Sequence, residues 1–203
     1  MSVRAFHTLS PTHTFHQNAL LHGPSTQLYS SVSSSTPEEI LSTVRQALAE
    51  EGSHLEDWDA SVDFLASFLE TDNPQDAALC LATATSWKSW AIAGKFARKY
   101  IQTVTPTPEL LQHAVTWLEE GPLALESSLI HEYIRQHPHI YLMEPDVLYK
   151  KALGAAPRKY RDPAVFRECI LRDPTVLQVT YNCEDEGCAA NCGSCWVTYS
   201  NRL

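Results

Sequence analysis

The chain has few glycines, few cations and no long apolar run. Its seven glycines in 203 residues include none in the spacing that cradles a phosphate, which removes the common nucleotide-binding loops. No serine sits in a nucleophile elbow. No segment approaches the ~20 apolar residues of a membrane helix, so a span is not expected. Residues 1–30 lack the cationic start and apolar core of a secretion signal, and the chain is expected to be intracellular and cytoplasmic. Lys and Arg number 15 against 24 Asp and Glu, a net charge of -9. That balance argues against a general nucleic-acid binder, because phosphate contact draws on clustered cations.

Acid and lysine are also missing locally. Residues 1–37 contain neither, only Arg4 with His7, His13, His16 and His22 among many Ser and Thr. The spacing of those histidines brings no set of ligands together, and one Arg is too few for an organelle transit peptide. Residues 1–35 therefore read as an extended arm and linker that lies on a neighbouring subunit or partner.

What is present is mostly helical. Thr36-Pro37-Glu38-Glu39 carries a capping box with proline in the first turn. Ile40, Leu41, Val44, Ala47 and Leu48 then share a face, and Gly52 marks a stop. Ser53 and Glu56 repeat the box before Leu55, Trp58, Val62, Leu65, Phe68 and Leu69. Asp72-Asn73-Pro74 begins a third segment that breaks near Thr85-Ser86 and resumes through Trp90, Ala93, Ala97 and Ile101.

A second round follows. Thr107-Pro108-Glu109 opens a segment that closes on Glu119-Glu120-Gly121, as Thr36-Pro37-Glu38 opens one that closes on Glu50-Glu51-Gly52. Leu110, Leu111, Val115 and Leu118 match the first apolar set, and Glu144-Pro145-Asp146 echoes Asn73-Pro74. Duplication gives a helical array that buries a continuous core and presents a surface to partners; ordinary helix punctuation gives the same residues without duplication. Asp162-Pro163 starts a last helix with Val165, Phe166, Cys169 and Ile170. Cys80 and Cys169 read as small core residues.

After Asp173-Pro174 the period changes. Leu177, Val179 and Tyr181 alternate with polar residues, as Val197 and Tyr199 do later, which predicts two short strands. Between them stand four of the six cysteines, Cys183, Cys188, Cys192 and Cys195. Four thiolates suffice for tetrahedral zinc. Disulfides, an iron–sulfur cluster or no bound group are the alternatives, and the neighbouring Glu184, Asp185 and Glu186 work against thiolate formation.

Cys188, Cys192 and Cys195 have the C-x3-C-x2-C spacing and follow Val179-Thr180-Tyr181. This loop resembles that of the radical S-adenosylmethionine enzymes, and the resemblance implies three ligands to a [4Fe–4S] cluster. In that family a barrel follows the loop, whereas eight residues follow Cys195 here. Cys192-Gly193-Ser194-Cys195 is also similar to the core of copper-binding methanobactin peptides.

Charge is segregated along the chain. Nine acids and no cation lie between Glu50 and Asp76, while Lys150 to Arg172 holds seven cations against two acids. Opposed patches of this kind steer association, and solvated helix faces produce them too. Lys88, Lys95, Arg98 and Lys99 interleave with Trp87, Trp90, Phe96 and Tyr100; at helical spacing the aromatics are expected in the core. His131, Glu132, His137 and His139 share no helix face and define no acid–base pair.

The expectation is a mainly α protein, a multi-helix bundle or short helical-repeat array of roughly seven helices over residues 36–174. Residues 175–203 would form a small cysteine-rich β-hairpin. Its function would be that of a non-enzymatic scaffold, interaction or assembly protein, with zinc on Cys183, Cys188, Cys192 and Cys195. A protein partner or a second copy would dock through the arm and the helical surface. The alternative is an iron–sulfur or redox protein using Cys188, Cys192 and Cys195.

Overall fold

The computed structural model describes residues 35–50, 54–179 and Trp196. The arm and the four clustered cysteines lie outside the described residues, as do Gly52 and Ser53. Ten α-helices and two short 3-10 turns account for the described chain, with no strand among the described residues. None of the described helices is long and apolar enough to cross a membrane.

The first helix, α1 (Pro37–Glu50), starts where the local chemistry demands. Glu39 Oε2 accepts from the Thr36 amide at 2.9 Å while Thr36 Oγ1 accepts from the Glu39 amide at 3.3 Å. This is the reciprocal box that satisfies two helix-end donors. In α2 (His54–Phe68), Trp58, Val62 and Leu65 face inward with Leu69 just beyond. Asn73 caps α3 (Pro74–Ala84) through its side chain. The expected break falls on Ser86, in the left-handed region at φ 65°, between α3 and α4 (Trp87–Ile92). A second break at Ala93 and Gly94 separates the single turn of α5 (Lys95–Arg98).

In the second round, Thr107 Oγ1 accepts from the Leu110 amide at the start of α6 (Pro108–Glu120). Next come α7 (Ser127–Gln136), α8 (Pro138–Tyr141), α9 (Pro145–Ala155) and α10 (Pro163–Arg172). The two rounds begin alike and then diverge. Asn73 caps α3 from extended backbone, whereas Glu144 precedes α9 in the left-handed region with no side-chain cap. The extra helices beyond the expected number are the short α4, α5 and α8, which arise where Ser86, Gly94 and Pro138 interrupt longer apolar patterns.

The expected strand over Leu177, Val179 and Tyr181 is corrected at Leu177 and Val179; Tyr181, and Val197 and Tyr199 of the second expected strand, lie outside the described residues. Asp173 accepts from the Thr175 amide, and Pro174–Gln178 winds into a 3-10 turn. Val176, Leu177 and Val179 are all buried, so no face alternates. Proline after a capping aspartate nucleates a turn more readily than a strand.

One apolar cluster runs through α1, α2, α3, α6, α7, α9 and α10 and includes Val176, Leu177 and Trp196. A file of rings connects its later elements. Trp117 meets Tyr149 at 5.6 Å, Tyr149 meets Phe166 at 5.3 Å, and Phe166 meets Trp196 at 5.9 Å. Tyr160 stacks on Trp196 at 5.2 Å.

Arginines tie the elements together through main-chain carbonyls. Arg135 donates to Leu69 O at 2.6 Å, Arg161 to Ala156 O at 2.6 Å, and Arg167 to Leu123 O at 2.6 Å. Ser61 Oγ adds a tie from α2 to Pro106 O at 3.2 Å.

Two glycines have opposite roles. A Cβ on Gly121 would stand 2.3 Å from Trp117 O, so only glycine closes the end of α6 without moving backbone. Gly154, inside α9, has nothing within 4 Å of that position. Gly154→Ala is therefore expected to stabilise the fold by ~0.5–1 kcal/mol, the ordinary helix-interior difference. Thermal unfolding measures it; an unchanged or lower midpoint would contradict the open surroundings described for this residue.

Candidate functional site

The residues singled out for acid–base or ligand chemistry do not converge. His131 sits with its ring edge-on to Phe68 at 4.8 Å, Glu132 accepts from the Gln136 side chain, and His139 pairs with Gln178. No group of three or more His, Cys, Asp or Glu among the described residues could hold a metal ion. Cys183, Cys188, Cys192 and Cys195 lie outside the described residues.

Of the other two cysteines, Cys169 is buried. Cys80 Sγ donates to Ile134 O at 3.6 Å, and burial pushes its thiol up to about 12, with Arg135 opposing. Burial thus favours the protonated thiol over the thiolate that a nucleophile or a ligand needs.

The feature that stands out is on the surface, over α4 and α5. Trp87 is buried and meets Trp90 edge to face at 5.3 Å, as expected of core aromatics. Phe96 and Tyr100 are not core: they are 85% and 77% exposed. The cause is the break at Ala93 and Gly94. Both residues have extended backbone, at ψ 144° and 153°, so α5 starts with a new phase, and Phe96 within it and Tyr100 in the turn just past it leave the face that Trp87 and Trp90 share.

Arg98 fixes this geometry. Its guanidinium lies 4.3 Å over the Trp90 ring and donates to Ala91 O and Ala93 O at 3.0 and 3.1 Å. With Arg98 turned inward, Lys95 and Lys99 remain exposed beside the two rings, and the Lys99 ammonium lies 4.8 Å over the Tyr100 ring. Ile92, 48% exposed, extends the apolar area. From residue 77 to residue 108 the chain has four cations and no acid. Leaving a phenylalanine in water forgoes roughly 1.5–3 kcal/mol of burial, and clustered exposed aromatics mark contact surfaces.

A cavity of about 640 Å³ opens between the α3–α4 junction, α6 and the start of α9. Leu110, Ala114, Leu142, Met143 and Val147 make it apolar, and Glu144 and Asp146 give it acid; neither Lys nor Arg lines it. Val104 stands on the lip, where its amide donates to Thr85 O at 3.2 Å. Ser86 and Glu144, both left-handed non-glycine residues, belong to the same lining. Such backbone costs about 1 kcal/mol or more per residue and gathers at working sites.

Nothing in the sequence pointed to this cavity, because its walls come from four separated segments. No family model, curated protein or solved structure matches the chain.

Proposed function

We propose that the chain is a non-enzymatic helical interaction or assembly protein whose docking face is the surface of α4 and α5. One observation carries the reading: Phe96 and Tyr100 stand in solvent between lysines. Aromatic anchors rimmed by cations are what interface centres use. The net charge of -9 favours a protein partner over nucleic acid.

In the same reading, Cys183, Cys188, Cys192 and Cys195 hold zinc and act as a clasp. Support comes from Trp196, the residue directly after Cys195, which is fully buried against Tyr160 and Phe166. A closed four-thiolate site beside that anchor would tie the segment to the helical body. Metal analysis of the purified chain tests this: one zinc per chain supports it, iron with a visible charge-transfer band favours the cluster alternative, and two disulfides by mass rule out both.

The docking face is tested by photo-crosslinking with Tyr100→p-benzoylphenylalanine in the native cell. Adducts to a macromolecule at this position are expected, and their loss in a Phe96→Asp background. Absence of any adduct would overturn the reading.

A further inference from the structure

We propose that the aromatic knob on α4–α5 and the acidic cavity beside it are two halves of one self-complementary interface, through which two copies of this chain pair. The inference rests on the docking reading above and names its partner.

The chemistry of the two halves matches. The knob has an apolar tip, Phe96, flanked by the exposed cations Lys95 and Lys99. The cavity lining is largely apolar and holds the carboxylates of Glu144 and Asp146 and the imidazole of His113, with neither Lys nor Arg. Glu144 is exposed and has no ion-pair partner among the described residues, while Asp146 meets Lys150 at 3.2 Å. A phenylalanine entering with a lysine beside it would bury its ring on Leu110 and Met143 and bring an ammonium to Glu144. A cavity of about 640 Å³ lies within the range that encloses compact ligands and leaves room for that pair of side chains.

The position of the halves suits a two-fold pairing. Tyr100 at the knob and Val104 in the cavity lining are four positions apart in the chain, a reach of at most ~14 Å for extended chain. Knob and cavity are therefore near each other. A two-fold axis between them lets each copy give its knob and receive the other's, an isologous contact that closes at two copies. A nucleic acid seated on the lysines would face the carboxylates of the adjacent cavity; a cationic apolar side chain meets both halves favourably.

Light scattering and sedimentation of the full chain test the pairing. A dimer is expected that dissociates as protein is diluted and as salt is raised. Phe96→Asp on the knob and Leu110→Asp on the lip, both at exposed positions, are expected to weaken it by roughly tenfold or more with unchanged circular dichroism. Lys95→Glu and Glu144→Lys are each expected to weaken it, and the double exchange to restore it. A merely structural effect of either change would not be rescued by the other. A monomer at all concentrations, a dimer indifferent to Phe96→Asp and Leu110→Asp, or no rescue would overturn the proposal. The crosslinker at position 100 separates the two levels: adducts to residues around Met143 of a second copy support both, adducts to other molecules alone remove self-pairing and keep the docking face, and no adducts remove both.

Discussion

Trp196→Ala is expected to lower the free energy of unfolding by about 3–5 kcal/mol, the range for deleting a buried tryptophan. The indole is fully buried, stacked on Tyr160 with ring planes 21° apart and set against Phe166. Phe166 in turn passes the contact to Tyr149 and Trp117. Removing the ring leaves a cavity at the end of this aromatic file, and rings set in rotamers by their neighbours collapse into it only in part. Urea unfolding followed by far-ultraviolet circular dichroism measures the effect. A loss below about 1 kcal/mol would show that the indole does not belong to the core.

The second large effect concerns the first-round helices. Trp58 in α2 is 1% exposed, and Trp58→Ala is likewise expected to cost about 3–5 kcal/mol. Its value lies in how the loss appears. The first-round helices are bound to the second round by Arg135 on Leu69 O and Cys80 on Ile134 O, and α2 to the connection before α6 by Ser61 on Pro106 O. With the seam shared in this way, destabilising α2 should move a single transition for the whole helical body, with tryptophan fluorescence and circular dichroism changing together. Two separated transitions, one for the first round and one for the second, would mean that the rounds fold as independent units.

Helix beginnings were legible in the sequence because caps are local. Thr36 with Glu39, Asn73-Pro74, Thr107-Pro108 and Asp162-Pro163 each recruit a neighbour two or three residues away, and each starts a helix. Core membership was legible while a helix stayed in phase, as for Val44, Leu48, Trp58 and Leu65. It failed at Phe96 and Tyr100, where two extended residues reset the phase and periodicity no longer reported the inward face. It failed also at Leu177, where alternation over three positions was too short to distinguish a strand from a turn held by Asp173 and Pro174. The cavity had no local signature at all. Its acid and its apolar floor come from segments some thirty to sixty residues apart in the chain, and only the packing of α6 against α9 brings them together.

The arginine ties have a consequence for how the chain tolerates change. Arg98, Arg135, Arg161 and Arg167 all donate to main-chain oxygens, and a main-chain oxygen neither titrates nor depends on which side chain its residue bears. Acid that protonates carboxylates leaves these four anchors intact, in contrast to the exposed Arg45–Asp59 pair. Each contact is also one-sided in mutational terms. The arginine is required, while Leu69, Ala156 and Leu123 could exchange for residues of similar bulk without losing the acceptor, so paired substitution would leave no trace of bonds that hold the body together.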